Sequence, residues 1–99
     1  MRVMAKISMP VEPANQAIRE GKLPVVMQRT MDRWRPEATY FTTFDGRRTA
    51  FMVFNLDDPS DIPPFAEPFF MDLQADVELA PVMDAADLQK GLSQLGSAM

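Results

Sequence analysis

The segment PEATYFTTFDGRRTAFMVFNL, Pro36 to Leu56, decides the fold. Two β-rich runs flank Asp45-Gly46, residues that tolerate the two positive φ angles a two-residue hairpin turn demands. Such a turn fixes the register, setting Phe44 opposite Arg47, Phe41 opposite Ala50 and Tyr40 opposite Phe51. Side chains alternate along a strand, so Thr39, Phe41, Thr43, Arg48, Ala50, Met52 and Phe54 share one face. Ala38, Tyr40, Thr42, Phe44, Arg47, Thr49, Phe51 and Val53 share the other. Neither face is polar enough to be an ordinary solvated surface. Both need a cover.

Upstream, MRVMAKISM alternates, with Val3, Ala5, Ile7 and Met9 to one side, and reads as a strand. Pro10 and Pro13 end it and suit the first turn of a helix. Gly21 breaks that helix, which resumes near Pro24 and stops before Pro36. On the second half Leu23, Met27, Met31 and Trp34 form an apolar stripe, flanked by Val26 and Thr30. Downstream, Asp58 or Ser60 caps a helix crowded with prolines, and Pro68 is expected to kink or shorten it. ADVELAPVM alternates again, placing Ala75, Val77 and Leu79 on one side, with Pro81 fit for a strand end or edge. A last helix starts at Asp84 and carries one stripe of Leu88, Leu92 and Leu95.

The order is strand, broken helix, hairpin, helix, strand, helix. Up to the last helix this is βαββαβ, which predicts an α+β fold of the ferredoxin-like kind. A four-stranded antiparallel sheet carries two helices on one face, in a single domain over residues 1–99.

Three covers for the second sheet face follow from the residues. RNA is one, because RRTAFMVF, Arg47 to Phe54, partly follows the third-strand motif of RNA-recognition domains. Arg48 and Thr49 stand where that motif needs glycine and a stacking aromatic, and the first strand has no aromatic. Each missing platform forfeits ~1–3 kcal/mol per base, so nucleic acid is not expected as a partner. The last helix folded back over its own sheet is the second cover. The third, and the one expected, is a second copy of the chain, sheet against sheet in a homodimer.

Bulk composition narrows the chemistry. The chain has no Cys and no His, which removes thiol nucleophiles, imidazole acid–base catalysis and the usual zinc sites. Residues 1–48 hold nine Lys/Arg against five Asp/Glu, a balance of +4, while residues 49–99 hold one against nine, −8, giving −4 in all. The two halves are expected to neutralise each other in the fold. No apolar run approaches the ~18 residues of a membrane span, and the first residues lack signal-peptide zoning. The expected location is the cytoplasm, with no membrane partner. LDDPSD lacks the spacing and glycine of a calcium loop, so neither metal nor cofactor is expected.

MRVMAKISMPVEPANQAIREGKLP, PEATYFTTFDGRRTAFMVFNLDDPSDIPPFAEPFF and DVELAPVM together resemble the dimeric α/β-barrel superfamily of ferredoxin-like proteins, and within it a set of small bacterial proteins with no assigned activity. The resemblance implies a homodimer. It also implies, as an alternative to binding without catalysis, a cofactor-independent isomerase or monooxygenase. The haem-binding types of the superfamily are set apart by the absence of His.

Six residues stand out as candidates. Glu67 sits among apolar and proline neighbours in PPFAEPFF; facing a greasy cleft, its carboxyl would be desolvated into a usable acid or base. Tyr40 is its expected catalytic companion. Arg29 and Arg33, four apart, share a helix face and suit an anionic ligand. Trp34, like Tyr40, can line a pocket with one polar hydrogen, and Asn55, ending the third strand, offers an amide to orient a ligand. The expected function is homodimeric, binding a small apolar or aromatic molecule in a cleft between sheet and helices or between two sheets.

Overall fold

A computed structural model describes residues 1–98, with side chains through residue 96. Strand β1 is Arg2–Met9, and the broken helix gives α1, Val11–Arg19, and α2, Lys22–Trp34. The hairpin supplies β2, Ala38–Phe44, and β3, Arg47–Asn55. A short 3-10 turn, Pro59–Asp61, leads into α3, Ile62–Leu73; β4, Asp76–Pro81, and α4, Ala85–Ala98, complete the chain. The four strands form one antiparallel sheet in the order β2-β3-β1-β4.

Local chemistry explains the boundaries. Asp45 and Gly46 have φ of 55° and 74°, so the hairpin turn forms and Tyr40 lies opposite Phe51 as the dipeptide requires. Gly21, at φ 75°, ends α1 and opens α2 in a left-handed conformation that costs a glycine little. Asp58 accepts the Ser60 backbone N–H at 2.8 Å, and the Asp61 carboxylate accepts the Asp58 N–H, a reciprocal cap ahead of α3. The Ser60 N–H holds the Asp58 carboxyl below its usual range. Helix α3 does not stop at Pro68 but runs through it to Leu73. Phe65, Ala66, Phe69 and Leu73, on both sides of the proline, are all buried, and that burial offsets the one backbone hydrogen bond proline cannot donate.

All helical packing falls on one sheet face. Val3, Ala5, Ile7 and Met9 of β1 and Ala50, Met52 and Phe54 of β3 are buried there against Ala14, Ala17, Val26, Phe65 and Phe69. Phe54 and Phe65 stack at 4.4 Å, and Trp34 meets both edge-on, at 5.8 and 5.7 Å. The buried face of α2 centres on Val26 and Thr30 instead of on the Leu23–Met31 row, and Met31 is exposed. Neighbours on both sides cause this shift, since α2 packs against α1 as well as α3.

The other face is bare. Pairing aligns Ala38, Val53, Met4 and Ala80 in one row, then Tyr40, Phe51, Lys6 and Glu78, then Thr42, Thr49, Ser8 and Asp76. The first row is apolar and lies at the end where β1 starts. The other end is polar: Arg47 pairs with Asp76 at 3.3 Å, and the Lys6 ammonium sits 4.4 Å from the Phe44 ring centre. Tyr40 is 71% exposed. Helix α4 does not fold over this face. It projects from the body, giving a length of 57 Å and a radius of gyration of 16.1 Å, against about 13 Å for a compact chain of this size.

Candidate functional site

Helices α2 and α3 lie side by side on the outer layer and enclose a cleft of about 540 Å³. From α2 come Val26, Arg29, Thr30, Asp32, Arg33 and Trp34; from α3 come Pro64, Phe65, Pro68, Met71 and Asp72. Helical spacing arranges both walls. Arg29 and Arg33 are one turn apart, and so are Pro64 and Pro68. Val26, Thr30 and Phe65 are buried and form the floor. The Thr30 hydroxyl is spoken for, donating to the Val26 carbonyl at 2.8 Å.

Charge is confined to the rim. Asp32 accepts a hydrogen bond from the Gln28 amide at 2.9 Å. Among the described residues neither Arg29 nor Arg33 forms an ion pair, although Asp32 and Asp72 line the same cleft; the ion pairs lie elsewhere. The Arg33 guanidinium carbon rests 4.9 Å from the Trp34 ring centre, a distance at which the ring face attracts the cation. Two guanidiniums without ion pairs among the described residues, above an apolar floor, suit a ligand with a flat apolar body and an anionic head.

Three of the six candidates, Arg29, Arg33 and Trp34, therefore meet in one cleft. The cleft lies between two helices, and not between sheet and helices, because Phe54, Phe65 and Phe69 fill the sheet–helix layer. Glu67 is exposed on α3 and does not line the cleft, so it does not face a greasy pocket. Tyr40 is on the bare sheet face and Glu67 on a helix behind the opposite face, so within one chain the two do not share a site. Asn55 serves the strand end: its amide oxygen accepts from the Met1 ammonium at 2.9 Å and its nitrogen donates to Asp57.

Sequence reasoning missed the whole α3 wall, Pro64, Pro68, Met71 and Asp72. A signal existed in the proline pair four apart, which marks one helix face, but only the packing of α3 beside α2 says what that face looks at. A second, polar concavity of about 230 Å³ opens on the bare sheet face between Lys6, Ser8, Arg47, Asp76 and Glu78.

No curated protein matches the chain. A family model described as a domain of unknown function, DUF3303, matches residues 26–96. That span runs from α2 into α4 and contains every residue of the α2–α3 cleft. It covers more than half of the chain, which therefore belongs to the DUF3303 family.

Proposed function

We propose that this protein is a non-catalytic binding protein that holds a small aromatic or apolar molecule, carrying an anionic group, between α2 and α3. It works as a homodimer of ferredoxin-like units, paired through their bare sheet faces in the manner of the dimeric α/β barrels. The observation that carries the binding reading is that, among the described residues, Arg29 and Arg33 form no ion pair at the rim of a cleft of about 540 Å³ with an apolar floor, a size within the usual range for small-molecule sites. The dimer reading is supported by the strand order β2-β3-β1-β4 and by the apolar row Ala38, Val53, Met4 and Ala80, in which Met4 and Ala80 are exposed and Ala38 and Val53 half-buried. An isomerase or monooxygenase reading lacks comparable support, because Glu67 lies in solvent and Tyr40 on the other side of the sheet.

Thermal melting with 2-naphthoate, 2-naphthamide and 2-naphthylamine tests the binding reading. A ligand at ten times its dissociation constant stabilises by about 1.4 kcal/mol, or about 6–11 °C for a domain this small. The carboxylate is expected to give that shift, the neutral and cationic analogues much less, and Arg29→Ala with Arg33→Ala to abolish it. Equal shifts for all three compounds, or an unchanged shift in the double variant, would remove the arginines from the site.

A further inference from the structure

We propose that α4 is an arm that seats on a second copy of the chain and completes the interface between two bare sheet faces. The inference rests on the homodimer proposed above and assigns the last helix a part in it.

The elbow before α4 is pinned, so the direction of the helix is set by structure. The Val82 N–H donates to the Arg2 carbonyl at 3.1 Å, and Arg2 Nη1 reaches the Asp84 carboxylate at 3.3 Å. Asp84 and Asp87 cap the helix reciprocally: the Asp87 N–H donates to Asp84 at 2.8 Å, and the Asp84 N–H to Asp87 at 3.2 Å. Arg2 shares the bare face with Met4 and Lys6. The arm is therefore rooted at the apolar end of that face, beside Ala38, Val53, Met4 and Ala80, and leaves its own body there.

What the arm carries suits a partner. Leu88, Leu92 and Leu95 form one stripe along it, 48%, 52% and 58% exposed, with nothing within contact of a Cβ placed on Gly91. Lys90 lies on the opposite side of the helix from the stripe. A stripe so narrow, on a helix that reaches away from its own core, has no reason to be apolar unless another surface meets it.

Area gives the same occupant. Four strands at ~4.8 Å spacing and ~27 Å of strand make a flat footprint of about 500 Å², short of the ~800 Å² per partner of a standard stable interface. The 14 residues of α4 span ~21 Å, and an arm ~10 Å wide adds roughly 210 Å². In a twofold dimer each copy gives one arm and receives one, which raises the footprint to about 900 Å² and past that standard. A single copy with α4 swung home covers part of one face and leaves the pinned elbow broken.

Two measurements test this in the full chain. The exposed positions Leu88→Glu, Leu92→Glu and Leu95→Glu together should raise the dimer dissociation constant at least a hundredfold in analytical ultracentrifugation. An unchanged constant, with the wild type dimeric, overturns the arm while leaving the sheet-paired dimer standing; a wild type that is monomeric at 100 µM overturns both. Because the chain has no cysteine, Lys90→Cys can carry a single nitroxide away from the stripe. Mixed with unlabelled ¹⁵N copies, it should broaden amide signals in those copies. No broadening in the mixture, with broadening of sheet amides when the nitroxide-bearing chain itself carries ¹⁵N, would show that α4 closes on its own sheet and would refute the arm.

Discussion

Replacing Phe65 with alanine tests the packing from which the site is built. Phe65 is 1% exposed and touches three other rings: Phe54 at 4.4 Å, Phe69 at 5.5 Å and Trp34 at 5.7 Å between centres. Truncating a buried phenylalanine costs about 3–5 kcal/mol through lost transfer energy and the cavity left behind. Ring–ring geometry places this site at the upper end, since each such pair is worth ~0.5–1.5 kcal/mol beyond area burial. Domains of this size hold about 5–15 kcal/mol in total, so Phe65→Ala should forfeit about a quarter or more of the stability. The sole tryptophan, Trp34, abuts Phe65 and reports unfolding directly. In urea titrations followed by its fluorescence, the variant should lose about 4–5 kcal/mol with little change in slope. Glu67→Gln, two residues on along the same helix but exposed, should stay within ~0.5 kcal/mol. A Phe65→Ala cost below about 1 kcal/mol, or a larger cost for Glu67→Gln, would mean that α3 presents a different face to the sheet.

Further outcomes follow from the turn and the caps. Gly46→Val forces a β-branched side chain to φ 74° and should cost at least ~1–2 kcal/mol by urea denaturation, with the loss concentrated in hydrogen-exchange protection of β2 and β3. The Asp84 carboxyl is held below its usual range, chiefly by the Asp87 N–H and further by Arg2. A depressed folded value means that its contribution is complete above the unfolded value of ~3.9 and is lost as pH falls through the lower folded one. Protection factors of the α4 amides, taken against the intrinsic exchange rate at each pH, should therefore fall as pH drops below ~4, and Asp84→Ala should lower them at neutral pH by weakening the cap. Protection in α4 that is indifferent to both changes would discard the pinned elbow.

Much of the sheet could be read from the sequence because its signals are local. Asp45-Gly46 fixes a turn, the turn fixes register, and register sorts Tyr40 and Phe51 from Phe41 and Ala50 without reference to the rest of the chain. The break at Gly21 and the caps at Asp58 and Asp84 are equally local. Other features depend on what lies opposite. Met31 continues an apolar stripe by spacing, yet α2 turns its Val26–Thr30 side inward because α1 and α3 flank it. Pro68 reads as a helix breaker until the burial of Phe65 and Phe69 on either side is counted. Arg29 and Arg33 were legible as one helix face and Trp34 as part of the apolar stripe; the cleft that joins them was not, since its other wall comes from a segment about thirty residues later. Glu67 drew notice for its greasy neighbours in the chain, but on a helix sequence neighbours point different ways, and Phe65, Ala66 and Phe69 turn inward while Glu67 turns out. The outward course of α4 has no sequence signal beyond an unpartnered leucine stripe.

The binding site is tested most directly by a two-dimensional NMR titration of the ¹⁵N-labelled chain with 2-naphthoate. Perturbations should concentrate on the α2 amides from Val26 to Trp34, on the α3 amides from Phe65 to Asp72 and on the Arg29 and Arg33 side-chain Nε–H signals, at saturable ligand. Shifts gathered instead on the bare sheet face around Lys6, Arg47 and Phe51, or no saturable shifts at all, would contradict a ligand held between the two helices.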